Sequence, residues 1–434
     1  MSKFQIIFLA IFIILAVIGV AIFATSSSSN NAQLVPVTIW GTLPTADVRQ
    51  AIDDLETADK TTFQATYTQV DEASFQSKLV NAIATGQGPD LILFPQDIFL
   101  SVKNLLYPIP YANYSQGLFQ NNFAQAGEIF LDPTNGVYAL PAAIDPMVMF
   151  WNRDLLSSAG IALPPKTWTD ILSEVPELTN KDHNGNIVQS GVAFGEWTNV
   201  PHAKGILSML MIQSGTPIVA IDQTTGKVSS ALSAGSSSGI SPAQEALSFF
   251  AQFADPSKNV YSWNRAEPAA DSAFLAGKLA FYFGPASETP SLRARNPNLN
   301  FEVAAVPQTG TTNQATYADV YAFGILKSSP NISAAALDAN LLTSDAAVTD
   351  IATASAVAPS RRDLLAVTQP SAYQEVFWKS ALIGDNFLDP SPSATDNLFD
   401  GMVESVTSGA KNSTDAVSAA DVSLSALLRQ ATGQ

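Results

Sequence analysis

The chain has 434 residues, more than one hydrophobic core usually serves, so two or more domains are expected. With 47% hydrophobic and 14% charged residues it is globular rather than disordered, and a formal charge of −17 repels phosphate backbones, so no nucleic-acid partner is expected. It has no cysteine, which excludes disulfides, thiol catalysis and a lipidated N-terminal cysteine; its two histidines, His183 and His202, are too few for a His-rich metal centre.

From Ile6 to Ala24 the chain reads IIFLAIFIILAVIGVAIFA, with no polar side chain. At about 1.5 Å per residue, a helix over this run nearly matches the roughly 30 Å hydrocarbon core of a bilayer. Signal-peptide cores are shorter, about 7–15 apolar residues. The small-residue cleavage pattern is also poor, because Ile22 sits two before Ala24. Residues 1–24 are therefore expected to be an N-terminal transmembrane helix acting as a signal anchor; a cleaved signal peptide and a secreted protein is the alternative. Lys3 precedes the run and no basic residue follows until Arg49, which favours the rest of the chain lying outside the cell. TSSSSNNAQ, within 25–34, reads as a flexible linker.

Strand-like and helix-like segments then alternate. VPVTIW (Val35 to Trp40) is a β-branched run, ADVRQAIDDLETAD has Val48, Ile52 and Leu55 at helical spacing, and FQATYTQV (Phe63 to Val70) alternates like a strand. SFQSKLVNAIATG places Phe75, Leu79 and Ile83 on one helical face, with a cap within Asp71–Ser74 and Gly86 as a stop. LILF (Leu91 to Phe94) is a buried strand. This order predicts βαβ crossovers and a parallel sheet. Ligands bind beyond the carboxyl ends of such strands, so Trp40, Gly41, Pro95, Gln96 and Asp97 should lie at a mouth.

TNGVYALPA reads as a turn and strand, NRDLLSSAGI as a helix capped by Asn152, and PPKTWTDILSEV as a helix capped by Thr167. Between Leu140 and Trp151 the chain is apolar and extended, and looks like a crossing from one lobe to the next. Asp145 stands alone in it, followed by Pro146, which should hold it at a bend between lobes. KDHNGNI (Lys181 to Ile187) lacks the spaced acids of a calcium loop and reads as a hairpin turn, as does IDQTTGKV (Ile221 to Val228). Tyr317, Asp319 and Tyr321 precede a strand at AFGIL.

Several of these pieces, in this order, resemble the extracellular solute-binding proteins of ABC importers, family 1, the carbohydrate-binding and maltose-binding-protein-like group. They are VTIWG, GQGPDLILF, NGVYALPAAIDPMVMFWNRDLLSSAGI with PPKTWTDI, SAFLAGKLAFYFGP, FEVAAVPQTG, YADVYAFGILKSSPN and APSRRDLL. The resemblance implies a two-lobe α/β fold of the type II periplasmic-binding-protein kind, with hinge-linked parallel or mixed sheets. Lobe 1 should take residues 35–144 and 303–357, and lobe 2 residues 146–302 and 358–434, ending in a final helix that frays outward.

A sugar offers apolar C–H faces to flat rings and hydroxyls to forked polar groups. Trp40, Trp197, Trp263, Phe283 and Tyr321 are the candidate ring surfaces, with Gly284 letting the backbone approach a ligand. Asp97, Asp145, Glu196, Asn264 and Arg362 are the candidate hydroxyl partners. A glycosidase would need two carboxylates about 5–10 Å apart, and nothing in the spacing supports one. The expectation is a non-enzymatic, membrane-anchored receptor that delivers a carbohydrate to ABC permease subunits, with no cofactor, metal or catalytic residue. A surface sensor or adhesin on the same scaffold, or a non-sugar polar solute, remains the alternative.

Overall fold

The computed structural model describes residues 35–433, apart from 59, 236–239 and 312. The anchor and linker expected over residues 1–34 lie outside the described residues. Among those described, no helix is long and apolar enough to cross a membrane.

The first elements follow the sequence pattern: β1 (Val37–Gly41), α1 (Thr45–Ala58), β2 (Ala65–Gln69), α2 (Glu72–Ala84) and β3 (Leu91–Pro95). The cap of α2 is Asp71, whose side chain accepts from the Ser74 N–H. β1 pairs in parallel with β2 on one side and with β3 on the other, as βαβ crossovers require. All five residues of β3 are buried, which explains its unbroken apolar run.

β4 (Ala139–Asn152) is a single 14-residue strand, buried at every position but Trp151. Helix α3 (Trp168–Leu178) follows under the Thr167/Asp170 capping box. After it come β5 (Ile187–Val192), α4 (Ala203–Gln213), α5 (Pro242–Ala251), β6 (Leu279–Pro285), β7 (Phe301–Ala304) and β8 (Thr316–Ile325). β8 therefore begins earlier than AFGIL suggested and contains Tyr317, Asp319 and Tyr321. Both expected hairpin turns form: Asp182 accepts from the backbone N–H groups of Asn184 and Asn186, and Asp222 from those of Thr224 and Thr225.

The sheet runs β2-β1-β3-β8-β4-β6-β5, and it is mixed. β8 is antiparallel to β3 and to the first half of β4, where Asp319 opposes Asp145. The second half of β4 pairs antiparallel with β6 and, on its other edge, with β7. One strand thus belongs to both halves of a two-lobe α/β fold. Pro146 does not bend it out of the sheet, contrary to the expectation. It falls where β4 exchanges partners, Pro146 opposing Ala318 and Met147 opposing Pro285. A ladder bond is interrupted there in any case, so the missing N–H costs little.

The C-terminal region adds α6 (Pro392–Thr407) and α7 (Ser413–Thr432). α7 does not fray outward: Val417, Leu424 and Leu428 are buried in the main core, and Gly433 closes the helix with φ 70°.

Candidate functional site

Side chains alternate along a strand, so residues two apart share a face. Asp145 and Met147 on β4, and Tyr317 and Asp319 on β8, accordingly line one cavity of about 170 Å³. Asp97, just past the carboxyl end of β3, joins them, as the rule for such sheets predicts. Pro285 at the end of β6 and His202, Lys204 and Gly205 at the start of α4 complete the wall. The cavity therefore sits where β4 passes from one lobe to the other.

Its carboxyls are held by few donors. The Gln96 side-chain amide donates to Asp319 at 2.8 Å, while its oxygen accepts the Val320 N–H at 2.6 Å. The Ser287 N–H donates to Asp145 at 3.1 Å. Asp97 Oδ1 is buried with no hydrogen-bond partner among the described residues. Burial, reinforced by the charge of Asp319, pushes Asp97 up to about 7. Burial also pushes Asp145 up to about 7, against the hydrogen bonds from Ser287 and with Asp319 adding to the rise. Asp319 itself is raised by burial, opposed by Gln96 and by the charges of Lys204 and His202.

Both cations carry their own partners. Lys204 Nζ donates to Asp389 and, at 3.3 Å, to the Pro392 carbonyl. His202 bonds Glu288 at 2.9 Å through Nε2, and Tyr282 donates to the other Glu288 oxygen at 2.7 Å. Burial works against a charge on His202, but the hydrogen bond and charge of Glu288 outweigh it and raise its pKa. His202 caps α4 at φ 62°, a left-handed conformation that costs a non-glycine residue about 1–3 kcal/mol.

The structure scatters the sequence candidates. Asp97 and Asp145 line this cavity, and Tyr321 on β8 has its hydroxyl raised by burial and by Asp319 and Asp145. Trp40, half-buried at the end of β1, opposes Thr68 and Ile92. Glu196 and Trp197 meet α6 instead: Arg265 bridges Glu196 at 3.0 Å to Glu404 at 2.9 Å, and the Trp197 indole N–H reaches Asp396 at 3.5 Å.

Four candidates are held by the protein itself. Trp263 is 1% exposed and donates to Asn199 at 3.1 Å, so neither ring face is open. Phe283 is 2% exposed and stacks on Trp168 with centroids 5.8 Å apart. The Asn264 oxygen accepts the Ala266 N–H in a tight turn. Arg362 donates to the carbonyls of Gln120 and Phe123, anchoring a loop. Gly284 makes room for Glu288 and Tyr282 rather than for a ligand: an added Cβ would lie 2.7 Å from Glu288 Oε2.

Sequence reasoning missed His202, Lys204, Glu288 and Asp389, whose roles arise from contacts as distant as 185 residues along the chain. The period-two pattern Tyr317, Asp319, Tyr321 was a usable signal for a cavity-facing strand.

Two lobes joined through a shared strand, with a polar cavity at the junction, define a bilobal solute-binding protein. The chain belongs to the bacterial extracellular solute-binding protein family, whose sequence profile matches residues 50–377. Members of this family are binding proteins, not enzymes. Among curated relatives, a binding protein of Brucella abortus (strain 2308) is 26% identical over 247 residues, 55% of this chain and 54% of that protein. The chain thus spans about half the length of the curated relatives it matches.

Solved structures share the fold at low identity. The cyclic α-maltosyl-1,6-maltose-binding protein of Arthrobacter globiformis has a TM-score of 0.74 at 15% identity, covering 92% of this chain and 100% of that one. A cyclo/maltodextrin-binding protein complexed with maltotetraose has a TM-score of 0.72 at 17% identity, covering 92% and 97%. The GacH receptor of Streptomyces glaucescens, solved unliganded and with acarbose, has a TM-score of 0.67 at 16% identity, covering 92% and 99%.

Proposed function

We propose that this protein is a membrane-anchored extracellular receptor that captures a sugar or oligosaccharide between its lobes and hands it to the permease of an ABC importer. The observation that carries this reading is the cavity at the β4 crossing, where Asp145 and Asp319 face inward beside Asp97. Carboxyls there can each accept hydroxyl protons, and a raised carboxyl can also donate one. The sugars named for the similar structures, maltotetraose and acarbose among them, point the same way.

In this reading the lobes take residues 35–144 with 303–357 and 146–302 with 358–434, and closure excludes water from the solute. Trp40, Trp197 and Tyr321 supply ring faces as the lobes meet. The apolar run from Ile6 to Ala24 holds the receptor at the membrane, where a permease reads the closed form.

Thermal-shift measurements with mono- and maltooligosaccharides test it. A solute at 100 times its dissociation constant stabilises by about 2.7 kcal/mol. If no sugar moves the melting point while an amino acid or a metal ion does, the carbohydrate reading fails. Trp40→Ala and Trp197→Ala should each weaken binding of the best sugar.

A further inference from the structure

The cavity is unevenly charged, and the imbalance bears on what fills it. Two cations reach it, Lys204 and His202. Each is already matched, Lys204 by Asp389 and His202 by Glu288. Asp97, Asp145 and Asp319 are left over. Among the described residues the donors to them are neutral: the Gln96 amide to Asp319, and the Ser287 N–H and side chain to Asp145. Asp97 Oδ1 has no donor among the described residues although it is buried. Glu72, on α2, adds a fourth carboxyl whose charge acts on Asp97.

We propose that the solute held here carries a protonated amine beside its hydroxyl groups, an amino sugar or amino polyol, with the amine set among Asp97, Asp145 and Asp319. This rests on the reading of the cavity as the solute site. A neutral sugar could donate hydroxyls to these groups, but it does nothing to offset their like charges once they ionise in a low-dielectric enclosure. An anion would face three carboxyls with no unpaired cation opposite among the described lining residues. The start of α4 does not reverse the balance, since Lys204 and His202 are matched there. An ammonium supplies three donors to ionised carboxyls that have few donors of their own. The volume, about 170 Å³, lies below the roughly 300–1,000 Å³ of ordinary ligand pockets, so the occupant is small.

Without an amine, protons neutralise the site, since Asp97 and Asp145 are both pushed up to about 7. An amine therefore displaces protons, and its affinity rises with pH. His202 acts in the same direction as it loses its charge; Lys204, Glu288 and Asp389 are the charged groups paired around it.

The test is calorimetric titration and thermal shift of the full chain with matched pairs: D-glucosamine against D-glucose, and D-glucamine against D-sorbitol. The amines should bind at least about tenfold more tightly than their neutral partners, which corresponds to about 1.4 kcal/mol. Neutral partners that bind as tightly overturn the amine while leaving the sugar-receptor reading standing. Silence from all four while maltose or maltotetraose binds does the same. Silence from all six solutes defeats both. Asp97→Asn should weaken D-glucamine at least about tenfold, and undiminished binding by a folded variant counts against the proposal. A wild-type titration from about pH 5.5 to about pH 7.5 is independent of any variant's folding. Affinity should rise across it, and a flat or falling profile overturns the proposal.

Discussion

Asp145 and Asp319 stand directly opposite each other in the antiparallel ladder between β4 and β8. Directly opposed side chains leave the sheet on the same face, and like charges so placed repel. The ladder thus holds two carboxyls together at the point where β4 changes lobes.

That arrangement fixes a pH dependence. Asp145 is pushed up to about 7 in the folded protein, against about 3.9 when unfolded. Its proton is held more tightly by the folded state, so its stabilising contribution is complete below about pH 4 and lost as pH rises through about 7. Asp145→Asn keeps the shape without the charge. Compared with this variant, ligand-free wild type should lose a few kcal/mol, on the order of 2–4, between those limits. Urea titrations of both proteins at either pH measure it, and equal pH profiles would contradict the assignment.

Asp389 is 3% exposed and joins three groups: Lys204, the Ser391 N–H at 2.9 Å and the Thr395 hydroxyl at 2.7 Å. It ties the start of α4 to the start of α6. Lys204→Ala leaves that carboxylate buried and uncompensated, a loss of about 3–5 kcal/mol. Adding Asp389→Asn should recover a large part. A double-mutant cycle by chemical denaturation reads the coupling, and simple additivity would show the pair to be unimportant.

Gly284→Ala tests how His202 is oriented. The new Cβ would meet Glu288 Oε2 at 2.7 Å and the Tyr282 ring at 3.1 Å. Glu288 should be displaced and His202 should lose the partner that raises its pKa. A downward shift in the His202 titration, followed by NMR of the imidazole, is the expected result. An unmoved titration would mean that Glu288 tolerates the methyl.

Asp90 is 5% exposed and binds the start of β1 to the loop after β8. It accepts from the N–H and hydroxyl of Thr38 at 2.9 and 2.8 Å and from the Ser329 hydroxyl at 2.6 Å. Burial disfavours its charge, but the bonds from Ser329, Thr38 and Asn331 prevail and lower its pKa. Its stabilisation is therefore present above about pH 4 and lost as pH falls through the lowered value. Asp90→Ala should cost about 2–4 kcal/mol at neutral pH and less in acid. An equal loss at both would contradict the hydrogen-bond account.

The sequence made the local structure legible and left the site half visible. The Thr167/Asp170 capping box, the Asp182 turn and the β-branched VTIW run are short-range signals, and each forms as its residues indicate. Asp145 was conspicuous as a lone carboxyl in an apolar strand. The rest of the cavity is made by pairs such as Gln96 with Asp319, 223 residues apart, which no periodicity encodes. Trp263 and Phe283 look like sugar platforms in one dimension, because a ring's exposure depends on what packs over it. Here Asn199 and Trp168 close them off.

The sharing of β4 has one more consequence. Cut the chain inside that strand and each fragment keeps a sheet with bare amides along a raw edge, a template for aggregation. The halves therefore cannot be made as separate pieces and mixed. Heating should erase them together, in a single calorimetric peak rather than two.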